Sequence, residues 1–268
     1  MKVYIEGIGL LGPGLPSWQA SQATLRGDAA HAFVLSTLPA PPRLPPAERR
    51  RAGPVIRLAM AVAEEAIAHA DADPTTLGSV FASSGGEGAN CHSLCETLAS
   101  PNPLISPTRF TNSVHNAAAG YWHIAVASRA ASTSLCAFDG SFGAGLVEAA
   151  TLMQSTGEPL LLVAYDLPYP EPLNSVRPLL DNFGLAFVLT PAATVKSIAA
   201  LRIELQDAAT SSPLDGCGDA SLDTLCRSIP AAAALPLLQA IARGESGRSL
   251  TLAYLPHLNL RVGVESLS

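Results

Sequence analysis

The feature that most constrains the fold is a repeated succession of strands and helices in the middle of the chain. Residues 159–165, PLLLVAY, form an apolar run that is typical of a strand buried on both faces. A strand at 79–83, a helix at 113–128, a strand at 131–137 and a helix at 140–154 precede it. This β–α–β–α–β order predicts an α/β fold of packed layers around a mostly parallel central sheet.

Further strands are expected at both ends of the chain. Residues 3–10 alternate around β-branched side chains and end in a turn at 12–14. The segments LAFVLTP and SIAALRIEL, joined by a short turn near 191–195, predict a hairpin at the sheet edge. A polar loop at 207–219, a helical tail at 222–243 and two last strands, SLTLAYL and LNLRVGV, complete the chain. Residues 54–70 are spaced for a helix with one buried face, and the proline-rich stretch 38–51 predicts an extended connection.

Charge and composition exclude several classes of function. The 268 residues carry a net charge of −6, which offers no electrostatic basis for nucleic-acid binding. The opening MKVYIEGIGLLG is too short and too broken by glycine for a signal peptide or membrane span, so we expect a cytoplasmic protein without membrane insertion. Five cysteines predict reduced thiols. Cys91, His92 and Cys95 lie close together, but no second ligand pair is nearby, and neither a metal nor a cofactor is predicted.

The segment SLCAFDGSFGAGLVEAA, residues 134–150, has the layout of a nucleophile site. It is predicted to form a strand, a tight turn and a helix, an arrangement that favours an anion at the helix N-terminus. The turn carries Asp139, which either caps the helix by accepting its first N–H groups or acts as a nucleophile or general base. A carboxylate held by N–H groups is a weak base, so the cap is favoured. Cys136, inside the strand, is expected to be an inert small hydrophobe, with a nucleophile as the alternative.

No complete catalytic constellation is visible around these residues. His115 and His123 are eight residues apart in one predicted helix and share a face only approximately. His115 is a possible partner for a nucleophile; between Asn112 and Asn116 at a helix start, capping or interface contacts are the alternative. GSFGAG lacks the G-x-S-x-G pattern, and SSGGEG is neither a dinucleotide-binding nor a P-loop motif.

Five segments, in the same order, resemble the N-terminal half of the β-ketoacyl synthases, members of the thiolase superfamily. They are VYIEGIGLLGPG followed by a tryptophan, SVFASSGG, NSVHNAAAGYWHIA, RAASTSLCAFDGSFGAGLVEAATLM and VRPLLDNFGLAFVLTPA. The fourth is similar to the family's nucleophile segment, in which T-A-C-x-S ends a strand before a helix. The resemblance implies a thiolase-like α/β fold with a central mixed sheet covered by helices. It also implies a ketosynthase-like N-terminal domain over 1–205 and a reduced C-terminal extension over 206–268, packed on the same domain.

Two departures from the family pattern imply that the chain has no catalytic residues of its own. In an ungapped comparison Asp139 falls on the family's nucleophilic cysteine and Ser141 on the serine two beyond it. An aspartate cannot hold an acyl chain as a thioester. A shift of a few residues would make Cys136 the candidate nucleophile instead. The family's two catalytic histidines belong to its C-terminal half, where this chain contains only His257.

A ketosynthase relative without its nucleophile is called a chain-length factor. The short form with SPTRFTNSVHNAAAGYW is similar to ketosynthase-like proteins of bacterial aryl-polyene and xanthomonadin-type pigment clusters. The resemblance implies a heterodimer with an active β-ketoacyl synthase, in which this chain shapes the tunnel for an acyl chain carried by acyl carrier protein. We expect docking through 112–128 and the strand at 131–137, which pairs across the two-fold axis in thiolase-fold dimers.

Individual side chains are assigned to this interface and tunnel by the same resemblance, with ordinary packing as the alternative for the aromatic ones. The interface candidates are Asn112, Ser113, His115, Asn116, Tyr121, Trp122 and Ser134, and the tunnel candidates are Phe110, Phe138 and Phe142.

Two other functions stay open at this point. A stand-alone acyltransferase or thioesterase, using Cys136 or Asp139 with His115, predicts turnover of acyl thioesters by the isolated chain. A homodimeric scaffold that binds acyl carrier protein predicts a stable homodimer without a ketosynthase. The missing histidine pair disfavours the first, and nothing in the sequence excludes the second.

Overall fold

A single eight-stranded sheet runs through the computed structural model, which describes residues 1–267. Its strands follow the order β3-β2-β4-β5-β1-β6-β8-β7. In chain order they are β1 (Lys2–Leu11), β2 (Gly78–Ala82), β3 (Ser132–Leu135), β4 (Leu160–Asp166), β5 (Phe183–Thr190), β6 (Ala199–Asp207), β7 (Arg248–Leu255) and β8 (Leu258–Ser266). The α-helices are α1 (Gln22–Arg26), α2 (Pro46–Arg51), α3 (Pro54–Ala70), α4 (Gly88–Ala99), α5 (Pro107–Thr111), α6 (Ala117–Val126), α7 (Ser141–Thr156), α8 (Leu173–Val176), α9 (Ala220–Ser228) and α10 (Leu235–Ala242).

The sheet is mixed, but the expectation of a mostly parallel one is wrong. β2 runs parallel to β3 and to β4, whereas the other five neighbouring pairs are antiparallel. The predicted edge hairpin of β5 and β6 is also wrong, because β1 lies between them. Ile5 is opposite Leu189 on one side and Ala199 on the other. The buried first strand thereby finds hydrogen-bond partners along both edges, as buried backbone requires.

Helices cover the two faces of this sheet with two separate apolar cores. Val62 of α3 and Trp122 of α6 pack with Phe81 on one face. Phe142 of α7 and Leu235 of α10 belong to the core on the other face. α3 lies so close to β1 that a Cβ placed on Gly9 would be 1.9 Å from the Val62 carbonyl oxygen, which explains the glycine there.

The predicted helix over 54–70 is confirmed, while several neighbouring boundaries differ. The last six residues of the proline-rich stretch form α2 rather than an extended segment, with proline at its first position. The helix expected from residue 113 begins at Ala117, and the strand expected over 131–137 is limited to Ser132–Leu135.

The C-terminal segment continues the same sheet. β8 pairs with β6 along its whole length, from Ala199 opposite Ser266 to Asp207 opposite Leu258, and β7 pairs with β8. Residue 205 lies inside β6. None of the helices in residues 1–267 combines the length and apolar character that crossing a membrane requires.

Candidate functional site

The candidate site is the turn between β3 and α7, residues 136–141, which we call the elbow. Phe138 has a φ of 52°, a left-handed conformation that is uncommon for a residue other than glycine. The Ser141 hydroxyl fixes the turn by donating to the Phe138 carbonyl (2.7 Å) and accepting from the Ala137 N–H (3.1 Å). A Cβ placed on Gly140 would be 1.7 Å from the Tyr254 carbonyl oxygen of β7. The elbow backbone is therefore fixed both by the Ser141 hydroxyl and by close packing against β7.

Asp139 does not cap the helix, so that prediction is wrong. Residues 138–140 form a short 3-10 turn before α7, whose N-cap is Gly140, and no side chain caps either element. The Asp139 carboxylate instead accepts from the Arg177 guanidinium at 2.5 Å. The same guanidinium lies 3.5 Å above the Phe138 ring centroid and 5.4 Å from that of Tyr169. The elbow thus presents an ion pair stacked on an aromatic ring, with the Asp139 side chain 68% exposed.

Cys136 lies outside the strand in which the sequence predicts it. It follows the last residue of β3, is exposed, and its thiol donates to the Ser84 carbonyl at 3.2 Å. His115 is exposed as well and lies over Gly86, where an added Cβ would be 2.8 Å from its Nδ1 atom. Both side chains therefore reach residues 84–86, although within residues 1–267 no hydrogen bond joins them.

A buried aspartate lies beneath this loop, at the end of β4. Asp166 accepts hydrogen bonds from the Ser84 N–H (2.7 Å), the Ser84 hydroxyl (2.7 Å), the Ala231 N–H (2.8 Å) and the Ser83 hydroxyl (3.4 Å). Burial raises the pKa of its carboxyl to about 6, because desolvation outweighs these hydrogen bonds. We call Ser83, Ser84 and Asp166 the latch, since they join β2, β4 and the C-terminal segment.

Sequence reasoning missed Asp166 and Arg177 as site residues. Asp166 is a charged residue that directly ends the apolar run of β4, and Arg177 is the second residue of the VRPLLDNFG segment, just after α8. A carboxylate at the end of a buried strand needs a partner, and that requirement is the signal from which Asp166 could have been found. Arg177 follows a short helix and gives no such signal.

The interface candidates fall into two groups. Asn112, Tyr121 and Trp122 are buried within the chain. The Tyr121 hydroxyl donates to the Asn112 side-chain oxygen at 3.1 Å, and the Asn112 amide donates to the Arg51 carbonyl at 3.1 Å. Burial raises the pKa of Tyr121. The remaining candidates are exposed or half-exposed: Ser113, His115, Asn116 and Ser134.

The tunnel candidates divide in the same way. Phe142 is fully buried and packs edge-on against Phe187, with ring centroids 6.5 Å apart. Phe110 and Phe138 are 65% and 61% exposed. Phe142 is therefore part of the core, while the other two rings are available on the surface.

A cavity of about 550 Å³ adjoins the elbow. Asp139 and Arg177 form one side of it, and Cys226 and Thr251 of the C-terminal segment form another. His257 lies apart, exposed in the turn between β7 and β8. A larger groove of about 1140 Å³ lies between residues 30–42 and α3, away from the elbow.

Comparisons with known proteins show the family and the fold of this chain. Residues 17–246 match the family described as "Beta-ketoacyl synthase, N-terminal domain". No curated protein matches the chain. Among solved structures, a ketosynthase in complex with its chain length factor from Xenorhabdus doucetiae includes a chain 22% identical to this one. Their TM-score is 0.74, and the match covers 98% of this chain and 99% of that one.

Two further solved structures show the same fold. A chain of the ishigamide ketosynthase/chain length factor is 14% identical, with a TM-score of 0.74 and complete coverage of both chains. A β-ketoacyl synthase from Burkholderia phymatum is 11% identical, with a TM-score of 0.69 and complete coverage of both. The predicted thiolase-like fold with a mixed central sheet is thereby confirmed. The family match spans most of the chain, and the protein therefore belongs to the β-ketoacyl synthase family through its N-terminal domain.

Proposed function

We propose that this chain is a non-catalytic, chain-length-factor-type subunit that pairs with an active β-ketoacyl synthase. The observation that carries the proposal is the ion pair of Asp139 and Arg177 at the elbow. There the resemblance expects a nucleophilic cysteine, which would hold the acyl chain as a thioester. A carboxylate neutralised by a guanidinium is a poor nucleophile, so the elbow keeps the shape of the site without its reactive atom.

The histidine content supports the same conclusion. The family's reaction uses two histidines from its C-terminal half, and the C-terminal segment of this chain has only His257, exposed in a hairpin turn. Two of the similar solved structures are, by their titles, a ketosynthase together with a chain length factor. A partner subunit would supply the chemistry, acting on chains carried by acyl carrier protein in the cytoplasm.

The docking surface that we propose surrounds β3. Among residues 1–267, this strand pairs only with β2 and lies at one edge of the sheet, so its outer edge is open to another chain. Cys136 binds Ser84 while His115 lies over Gly86, so residues 113–116 and the elbow meet at the same loop. Val114 and Phe138 are 49% and 61% exposed on this side. An open strand edge beside exposed apolar side chains favours association with a partner.

The growing acyl chain is proposed to run along this interface. Phe110 and Phe138 are the exposed aromatic side chains available to bound it. The resemblance of residues 106–122 to the ketosynthase-like proteins of pigment clusters favours an aryl polyene as the product. The buried group of Asn112, Tyr121 and Trp122 would support the interface from behind.

Co-expression with an active ketosynthase tests the docking surface. Val114→Asp is expected to abolish a one-to-one complex on size exclusion, because it buries an unpaired charge in the interface. Val195→Asp is the matched control, since Val195 is fully exposed in the turn after β5, at the end of the strands opposite to Asp166. Equal complex formation by both variants would contradict the proposed surface.

One observation favours a second candidate, a stand-alone acyltransferase or thioesterase. Cys136 is exposed, and His115 reaches the same loop. This candidate predicts acyl-thioester turnover by the isolated chain that is lost on Cys136→Ala and kept on Asp139→Ala. A stable homodimer without turnover would instead favour the carrier-protein-binding scaffold.

A further inference from the structure

Two cysteines of the C-terminal segment lie together beside the elbow cavity. Cys217 is in the loop before α9, and Cys226 is in the last turn of that helix. Asp223 and Cys226, three residues apart, share one face of α9. The Asp223 carboxylate accepts from the Cys217 N–H at 2.6 Å, and a Cβ on Gly216 would lie 2.7 Å from the same oxygen. The loop is therefore held on the helix face that carries Cys226, and both cysteine side chains pack against the same apolar core.

The two thiols have different environments. Cys217 is 5% exposed, whereas Cys226 is half-buried and lines the elbow cavity. The neighbouring Cys217 thiol lowers the pKa of the Cys226 thiol. The Cys226 side chain, together with burial, raises the pKa of Cys217. A cavity-lining thiol with a lowered pKa, next to a buried second thiol, is the arrangement of a peroxide-sensitive cysteine and its resolving partner.

We propose that Cys226 and Cys217 form a reversible disulfide when the protein meets hydrogen peroxide. The Cys226 thiolate attacks one peroxide oxygen, the O–O bond breaks, and the other oxygen leaves as water after protonation, giving a sulfenic acid. The Cys217 sulfur then attacks the Cys226 sulfur, and the sulfenic hydroxyl leaves as a second water. One hydroperoxide is reduced by two electrons, and a small dithiol restores both thiols.

The disulfide would fasten the loop at 216–218 to α9. Leu214, Asp215 and Gly216 line the elbow cavity together with Cys226, Asp139 and Arg177. Oxidation therefore fixes one wall of that cavity. This inference does not depend on the proposed pairing with a ketosynthase.

The direct test uses the unmodified chain and hydrogen peroxide. After brief treatment, free thiols are alkylated and the protein is digested with trypsin. Both cysteines fall in one tryptic peptide, residues 203–227, since no lysine or arginine interrupts it before Arg227. We expect this peptide to escape alkylation and to weigh two hydrogens less than its reduced form. The exposed Cys91, Cys95 and Cys136 should remain alkylated at the same dose.

Three variants sharpen the result. Cys217→Ser should abolish the disulfide and leave Cys226 as a sulfenic acid trapped by dimedone, and Cys226→Ser should leave Cys217 alkylated. Cys136→Ser is the matched control and should leave the disulfide unchanged. Cys226 should react several-fold faster than Cys136. If both thiols of the unmodified chain stay alkylated while Cys136 oxidises, the proposal is wrong, whether or not the variants fold.

Discussion

The elbow and the latch are two polar sites at one end of the sheet, and they are built in opposite ways. In the latch, the Asp166 side chain is buried and accepts hydrogen bonds from three residues. In the elbow, the backbone is tightly held, while the side chains of Cys136, Phe138 and Asp139 are exposed. Buried polar groups with a full set of partners stabilise a fold, whereas exposed groups on a fixed backbone are free for recognition. From this comparison we propose that the latch stabilises the fold and that the elbow serves recognition.

The largest expected effect comes from the elbow backbone. Gly140→Ala should lower the free energy of unfolding by about 4 kcal/mol, since its Cβ would overlap the Tyr254 carbonyl oxygen. Gly120→Ala is the control, because this exposed residue within α6 has nothing within 4 Å of an added Cβ. It should stabilise the protein by about 0.5–1 kcal/mol. Urea unfolding distinguishes the two, and a harmless Gly140→Ala would contradict the packing of β7 on the elbow.

The latch should show the next largest effect. Asp166→Ala leaves the N–H groups of Ser84 and Ala231 buried without partners, and we expect a loss of about 3 kcal/mol in unfolding free energy at pH 7. Chemical denaturation measures this directly. A loss below about 1 kcal/mol would mean that the latch does not join the C-terminal segment to the sheet.

The latch also predicts a pH dependence with a definite sign. The pKa of Asp166 is about 6 in the folded protein and about 3.9 when unfolded, so the folded state binds the extra proton between these values. The contribution of Asp166 to the free energy of unfolding should therefore be highest below about pH 4. It should fall by up to roughly 3 kcal/mol as pH rises to about 6. Asp166→Asn should lack this component. If the difference in unfolding free energy between the unmodified protein and Asp166→Asn does not change across this pH range, the raised pKa of Asp166 is contradicted.

The smallest effects are expected for the exposed ion pair. Asp139→Ala should change stability by less than about 0.5 kcal/mol, since an ion pair whose carboxylate is largely exposed contributes little. Arg177→Ala should cost about 1 kcal/mol, because it also removes the stacking on Phe138. Both are measured by thermal or urea unfolding. A large loss with Asp139→Ala would make the elbow a structural site like the latch.

The sequence predicts most of this fold and little of its site geometry. The apolar runs of β2, β4 and β5 and the helix over 54–70 follow from local pattern. The position of β1 between β5 and β6 does not follow from local pattern, because strand order depends on pairing between segments that are far apart along the chain. The sequence predicts that Asp139 caps the helix, but its carboxylate instead pairs with Arg177, 38 residues away along the chain. Contacts at such separation are set by the packed structure and leave no local signal.

The elongation assay with a co-purified ketosynthase and loaded acyl carrier protein tests the central claim most directly. The account predicts that the complex remains active when this chain carries Asp139→Ala and becomes inactive when the partner's nucleophilic cysteine is replaced. Turnover of acyl thioesters by the isolated chain, lost on Cys136→Ala, would contradict it and identify the elbow as a working active site.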